Sequence, residues 1–225
     1  MRKFIIPGCV LLFSLAGSGQ KLAQASFLDA SNLSFFALQD DQGTLIRLSP
    51  DGKLLEWGSE IMADRGYYYA PKLQAYMGRV EYYGNDADSA YRGKVKSIGT
   101  SSITYYSSND EPAKKGKLKM LGMLNFDYYS AYDEKSMQGK LKFIGNLLLD
   151  YYRGYENEAY RGKLKSIGST AITYYSIFED RYNVGKLKSV GSITYNWYSE
   201  YDRARGALKS NNYRQNIGGI NFILR

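Results

Sequence analysis

The sequence predicts an all-β chain, an extended antiparallel sheet laid out as a meander of tandem β-hairpins. Three observations carry this. A 23-residue unit recurs without a register slip, opened by Gly93, Gly116, Gly139, Gly162 and Gly185, and periods of about 20 to 50 residues mark repeat architectures. Short strand-like runs alternate with turn signals inside each unit, and no segment shows convincing helical periodicity. The chain holds 23 tyrosines and 23 glycines but only 4 prolines, which suits strands joined by tight turns.

Residues 1–25 read as a secretory leader. Arg2 and Lys3 form a charged start, residues 4–16 an apolar run, and Ala23-Gln24-Ala25 a small-x-small cleavage site. The apolar run is too short to cross a bilayer core of about 30 Å as a helix. Cleavage after Ala25 removes the one cysteine, Cys9, and three basic residues, lowering the formal charge from +8 to +5. The remaining chain has neither histidine nor cysteine. That excludes disulfides, zinc sites built on those ligands, and Ser-His-Asp or Cys-His catalysis.

Residues 26–69 form an N-terminal β section. Strands are expected at 33–39, 44–48 and 53–57, with turns at Asp40-Asp41-Gln42-Gly43 and Pro50-Asp51-Gly52. These hairpins read as diverged repeats that cap the array, since terminal repeats are atypical. Residues 70–210 are the tandem repeats, starting with Pro71-Lys72-Leu73 where later copies have Gly-Lys-Leu. Residues 211–225 supply a closing strand at 220–224.

Each unit reads as two strands joined by a tight turn such as Gly99-Thr100-Ser101, with a polar loop of five to eight residues leading to the next unit. The first strand has the pattern Lys-Leu-Lys-Ser-Ile. The second ends in paired aromatics: Tyr82-Tyr83, Tyr105-Tyr106, Tyr128-Tyr129, Tyr151-Tyr152, Tyr174-Tyr175 and Trp197-Tyr198. Leu164 and Ile167 are three apart, so a flat strand would put them on opposite faces. Either a bulge lies between them or both faces are half-buried.

A 23-residue period also fits a β-solenoid, in which equivalent residues stack about 4.8 Å apart; in a hairpin array they lie about 9.6 Å apart. The lysines discriminate. Lys94, Lys117, Lys140, Lys163 and Lys186 form one column, and Lys96, Lys119, Lys142, Lys165 and Lys188 another. Like charges about 4.8 Å apart repel by about 0.9 kcal/mol even in water. Doubling the spacing halves this, and salt screens much of the rest. The columns therefore favour hairpins, with Glu81, Asp127, Asp150 and the tyrosine rings as cross-strand neighbours.

The Tyr-Tyr pair, the loop after it and the Gly-Lys-Leu-Lys segment resemble repeats of the membrane-occupation-and-recognition-nexus (MORN) family in its variant bacterial form. The resemblance covers about residues 70–210. It implies hairpin units forming a binding scaffold, with no enzyme activity.

Two surfaces are candidate ligand sites. The second aromatics, Tyr83, Tyr106, Tyr129, Tyr152, Tyr175 and Tyr198, are placed as an exposed row able to stack on sugars. Lys94, Lys117, Lys140, Lys163 and Lys186 line up as a column suited to a polyanion such as lipopolysaccharide, teichoic acid or extracellular nucleic acid. Acids recur in the loops at Asp110, Asp133, Glu156, Glu179 and Asp202, but one carboxylate per loop is too few for calcium. No catalytic residue, metal site or cofactor is expected. The chain thus reads as a secreted or periplasmic, non-enzymatic binding or structural scaffold, not membrane-spanning once the leader is gone. Its partner would be an envelope glycan, a polyanion or a protein, without specific nucleic-acid recognition. The alternatives are an outer-membrane β-barrel and an envelope enzyme.

Overall fold

The computed structural model describes residues 19–60, 72–210 and 212–224. The charged and apolar parts of the expected leader, and Pro71, lie outside them. The described residues contain no helix. They form 18 strands in two sheets, almost entirely antiparallel and not closed into a barrel.

The repeats build the larger, 11-stranded sheet. Its strands are β6 (Val80–Tyr82), β7 (Val95–Ile98), β8 (Ser101–Tyr105), β9 (Leu118–Leu121), β10 (Leu124–Tyr128), β11 (Leu141–Ile144), β12 (Leu147–Tyr151), β13 (Leu164–Ile167), β14 (Thr170–Tyr174), β15 (Leu187–Val190) and β16 (Ile193–Thr194). They pair in chain order, a meander, the arrangement that the lysine spacing favours over a solenoid. Two-residue turns close the hairpins. Gly99, Gly122, Gly145, Gly168 and Gly191 open these turns with φ between 54 and 56°. A glycine in the first central position fits a type II′ turn, whose twist matches that of the flanking strands.

The spacing of Leu164 and Ile167 is resolved by a bulge. Tyr151 pairs with Leu164 and Asp150 with Ser166, so Lys165 is the extra residue. The same shift recurs opposite Tyr82, Tyr105, Tyr128 and Tyr174. The bulge turns Leu164 and Ile167 to one side, and both are buried.

The remaining strands make a seven-stranded sheet: β1 (Lys21–Leu28), β2 (Asn32–Gln39), β3 (Leu45–Leu48), β4 (Leu54–Glu60), β5 (Leu73–Ala75), β17 (Arg214–Ile217) and β18 (Ile220–Leu224). Its order is β17-β18-β1-β2-β3-β4-β5. The N-terminal section therefore does not cap the end of the array. It joins the C-terminal hairpin and lies over the array's apolar face, because that face exposes a stripe of Leu, Ile and Tyr that one layer cannot bury. Phe27, Phe36 and Phe222 of this sheet share one core with Ile103, Phe126, Leu149 and Ile172 of the array. Each such side chain contributes about 1.5–3 kcal/mol relative to exposure.

Two turns pin the layers together. The Asp29-Ala30 turn has positive φ at both residues, 51 and 50°, and the Ala30 carbonyl accepts the Leu187 N–H at 2.8 Å. The Pro50 carbonyl accepts the Leu141 N–H at 3.1 Å. Leu141 and Leu187 hold the same repeat position two units apart. On the opposite side, Gln20 accepts from the Met123 N–H and donates to Ser101.

β1 bears on the expected leader. Ala23, Gln24 and Ala25 lie within it, all buried, between β2 and β18. Cleavage after Ala25 would remove five of its eight residues.

Candidate functional site

The first lysine column is held at two points. The Nζ of Lys94, Lys117, Lys140, Lys163 and Lys186 donates to the carbonyl of the glycine opening the next unit: Gly116, Gly139, Gly162, Gly185 and Gly206. The same ammoniums lie 4.8 to 5.2 Å from the ring centres of Tyr105, Tyr128, Tyr151, Tyr174 and Trp197, within cation–π range. Burial lowers the pKa of each, taking Lys163 to about 8. Lys94 is exposed and the others half-buried. The column thus ties each unit to the next and is not an open cationic strip.

The second aromatics do not form an exposed row. Tyr129 is buried, and Tyr83, Tyr106, Tyr152, Tyr175 and Tyr198 are half-buried. The hydroxyls of Tyr83, Tyr106, Tyr129, Tyr152 and Tyr175 donate to the carbonyls of Ile103, Phe126, Leu149, Ile172 and Tyr195, at 2.8 to 3.0 Å. Four of these rings sit edge-on to the first tyrosine of the following unit, with centroids 5.9 to 6.1 Å apart. Burial pushes the Tyr129 and Tyr152 hydroxyls up to about 12. The bulged lysines Lys119, Lys142, Lys165 and Lys188, and Lys209 in the last copy, cover these rings at 5.1 to 5.4 Å. Lys165 and Lys188 also pair with the loop acids Glu156 and Glu179.

The acidic loops are hydrogen-bonded internally and to one another. Asp110, Asp133 and Asp202 accept from the N–H of Ser107, Ser130 and Ser199, three residues back, which holds their carboxyls below the usual range. Asp88, Glu111, Glu134, Asn157 and Asp180 each accept from a backbone N–H 20 residues ahead, in the next loop. No cluster of three or more potential metal-ligating side chains occurs among the described residues.

These stitched loops present a row that the sequence reading missed. Tyr132, Tyr155, Phe178 and Tyr201 occupy one loop position in four consecutive units. Their exposures are 96, 82, 87 and 90%, so four aromatic rings stand in solvent on hydrogen-bonded loops. Successive units are two strands apart, which spaces the rings by about 10 Å. The signal was present as a 23-residue aromatic period, but Asp86 and Asn109 hold the position in the earlier copies.

No protein-family model, curated protein or solved structure matches this chain.

Proposed function

We propose that the protein is an exported, non-enzymatic repeat scaffold that binds an extended, uncharged polysaccharide along Tyr132, Tyr155, Phe178 and Tyr201. The near-complete exposure of four rings at one repeat position carries this reading. A solvated aromatic ring with no packing role offers its face to the C–H face of a sugar. A step of about 10 Å suits an extended glycan that repeats its ring orientation every second sugar. The loop-to-loop hydrogen bonds fix the rings in advance, which lowers the ordering cost of binding. Four weak contacts in series also add through effective concentration.

Charge favours a neutral ligand over a polyanion. The loops at 130–138, 153–161, 176–184 and 199–205 carry eight carboxylates and six basic side chains. The export assignment rests on the leader-like residues 1–18, and the MORN resemblance is compatible with a binding array.

The test is calorimetric titration with neutral β-linked oligosaccharides of increasing length. Affinity should rise with length until four rings are spanned. Single Tyr132→Ala, Tyr155→Ala, Phe178→Ala and Tyr201→Ala changes should each cost about 0.5–1.5 kcal/mol. Affinity that ignores both chain length and these four residues would sink the reading.

A further inference from the structure

We infer that a second, separate binding site lies where the turn at residues 49–52 and β4 meet the open end of the array, and that it takes a small organic anion with an aromatic or alkyl body. A cleft of about 590 Å³ opens there, lined among others by Lys53, Lys94, Lys115, Lys117, Trp57 and Tyr105. That volume lies within the range of about 300–1,000 Å³ of small-molecule sites, which are mostly apolar with a few placed polar groups. Leu54, Val95 and Leu118 add to the apolar wall.

Charge complementarity identifies the occupant. Four lysines face one acid, Asp51. Asp51 is already engaged, paired with Lys53 at 2.9 Å and accepting from the Ser49 hydroxyl. Lys94 and Lys117 are aimed by their glycine carbonyls and by the rings of Tyr105 and Tyr128. Each ammonium has three donors, so a carbonyl bond leaves N–H groups for an anion. Burial and the nearby charge of Lys53 both disfavour the charged form of Lys94; an anion in the cleft would relieve that.

The repeat supplies its own comparison. In a later unit the matching lysine, Lys163, is covered by Ser31, whose Oγ lies 2.6 Å from its Nζ. Beside Lys186 the space is about 320 Å³ and Asp29 faces the lysine. The cleft at Lys94 and Lys117 combines open volume, aromatic wall and surplus positive charge.

The test uses 1-anilinonaphthalene-8-sulfonate with the full folded chain. Expected is saturable binding at one site, with energy transfer to the probe that Trp57→Phe lowers, the remainder coming from the second tryptophan, Trp197. Lys53→Glu and Lys115→Glu, both at exposed positions, should weaken binding at least tenfold. The uncharged probe N-phenyl-1-naphthylamine should bind at least tenfold more weakly. Tyr132→Ala and Tyr155→Ala should leave the affinity unchanged, which separates this site from the loop row. Equal binding of the neutral probe, indifference to both charge reversals, or no saturable binding would each overturn the inference.

Discussion

Lys163 donates from Nζ to Ser31 Oγ across 2.6 Å, joining residues 132 positions apart. The contact clamps the Asp29-Ala30 turn of the covering sheet onto the array, beside the Ser31 hydroxyl's bond to the Gly185 carbonyl. It also buries an ammonium, which brings Lys163 from its ordinary 10.5 down to about 8.

A pH profile follows. Between pH 8 and 10.5 the unfolded chain holds the Lys163 proton and the folded chain does not, so this group's contribution to stability rises with pH. The buried tyrosines act in the opposite sense. Their folded values lie above the ordinary 10.0, so their contribution is full below pH 10 and is lost as pH climbs beyond it. The urea midpoint should rise from pH 8 toward pH 10 and then fall. Lys163→Met should flatten the rise and keep the fall; a steady decline from pH 8 in the parent chain would contradict the assignment.

Two chemically identical substitutions should behave differently. The Tyr128 hydroxyl donates to the Leu118 carbonyl at 2.9 Å, whereas the buried Tyr151 hydroxyl meets no hydrogen-bond partner among the described residues. Tyr128→Phe should cost about 0.5–1.5 kcal/mol, and Tyr151→Phe should be neutral or stabilising. Denaturant titration of the pair checks this; equal losses would refute it.

The Pro50 turn offers a glycine contrast. Gly43 and Gly52 have φ of 82 and 81°. A Cβ on Gly43 would meet nothing within 4 Å, whereas one on Gly52 would lie 2.2 Å from the Tyr128 hydroxyl. Gly43→Ala should cost about 1 kcal/mol of backbone strain. Gly52→Ala should add about 1–3 kcal/mol of overpacking against the ring. Thermal melts of both variants isolate the packing part, and similar shifts would exclude it.

If the chain is exported as proposed, its mature form should begin upstream of Lys21. Removing β1 through Ala25 would strip the middle of the covering sheet, while Ser14-Leu15-Ala16 and Ala16-Gly17-Ser18 offer small-x-small sites before it. Intact-mass measurement of the secreted protein decides. A chain starting at Ser26 with undiminished stability would overturn this.

Much of the fold is legible because it is local and periodic. The hairpins follow from glycine at fixed turn positions, and the closing strand at 220–224 follows from its apolar run. The bulge at Lys165 was visible as a conflict between Leu164 and Ile167. The covering sheet was not legible, since the pairing of β1 with β18 spans nearly the whole sequence and residues 21–25 resemble the tail of a leader. The candidate rows misled for a related reason. Whether Tyr152 faces solvent depends on an acceptor 20 residues away, the Ile172 carbonyl, and strand alternation cannot report it.

The parallel pairing of β1 with β18 sets a schedule for folding. Gln24 through Phe27 pair on one edge with β2, but on the other edge with Asn221 through Leu224. A growing chain can zip up its hairpins one by one, but its roof stays unfinished until residue 224 has been made. Sequence-distant pairing of this kind is slow to form. Until then the finished hairpins would present an uncovered apolar face, the kind of surface that invites aggregation.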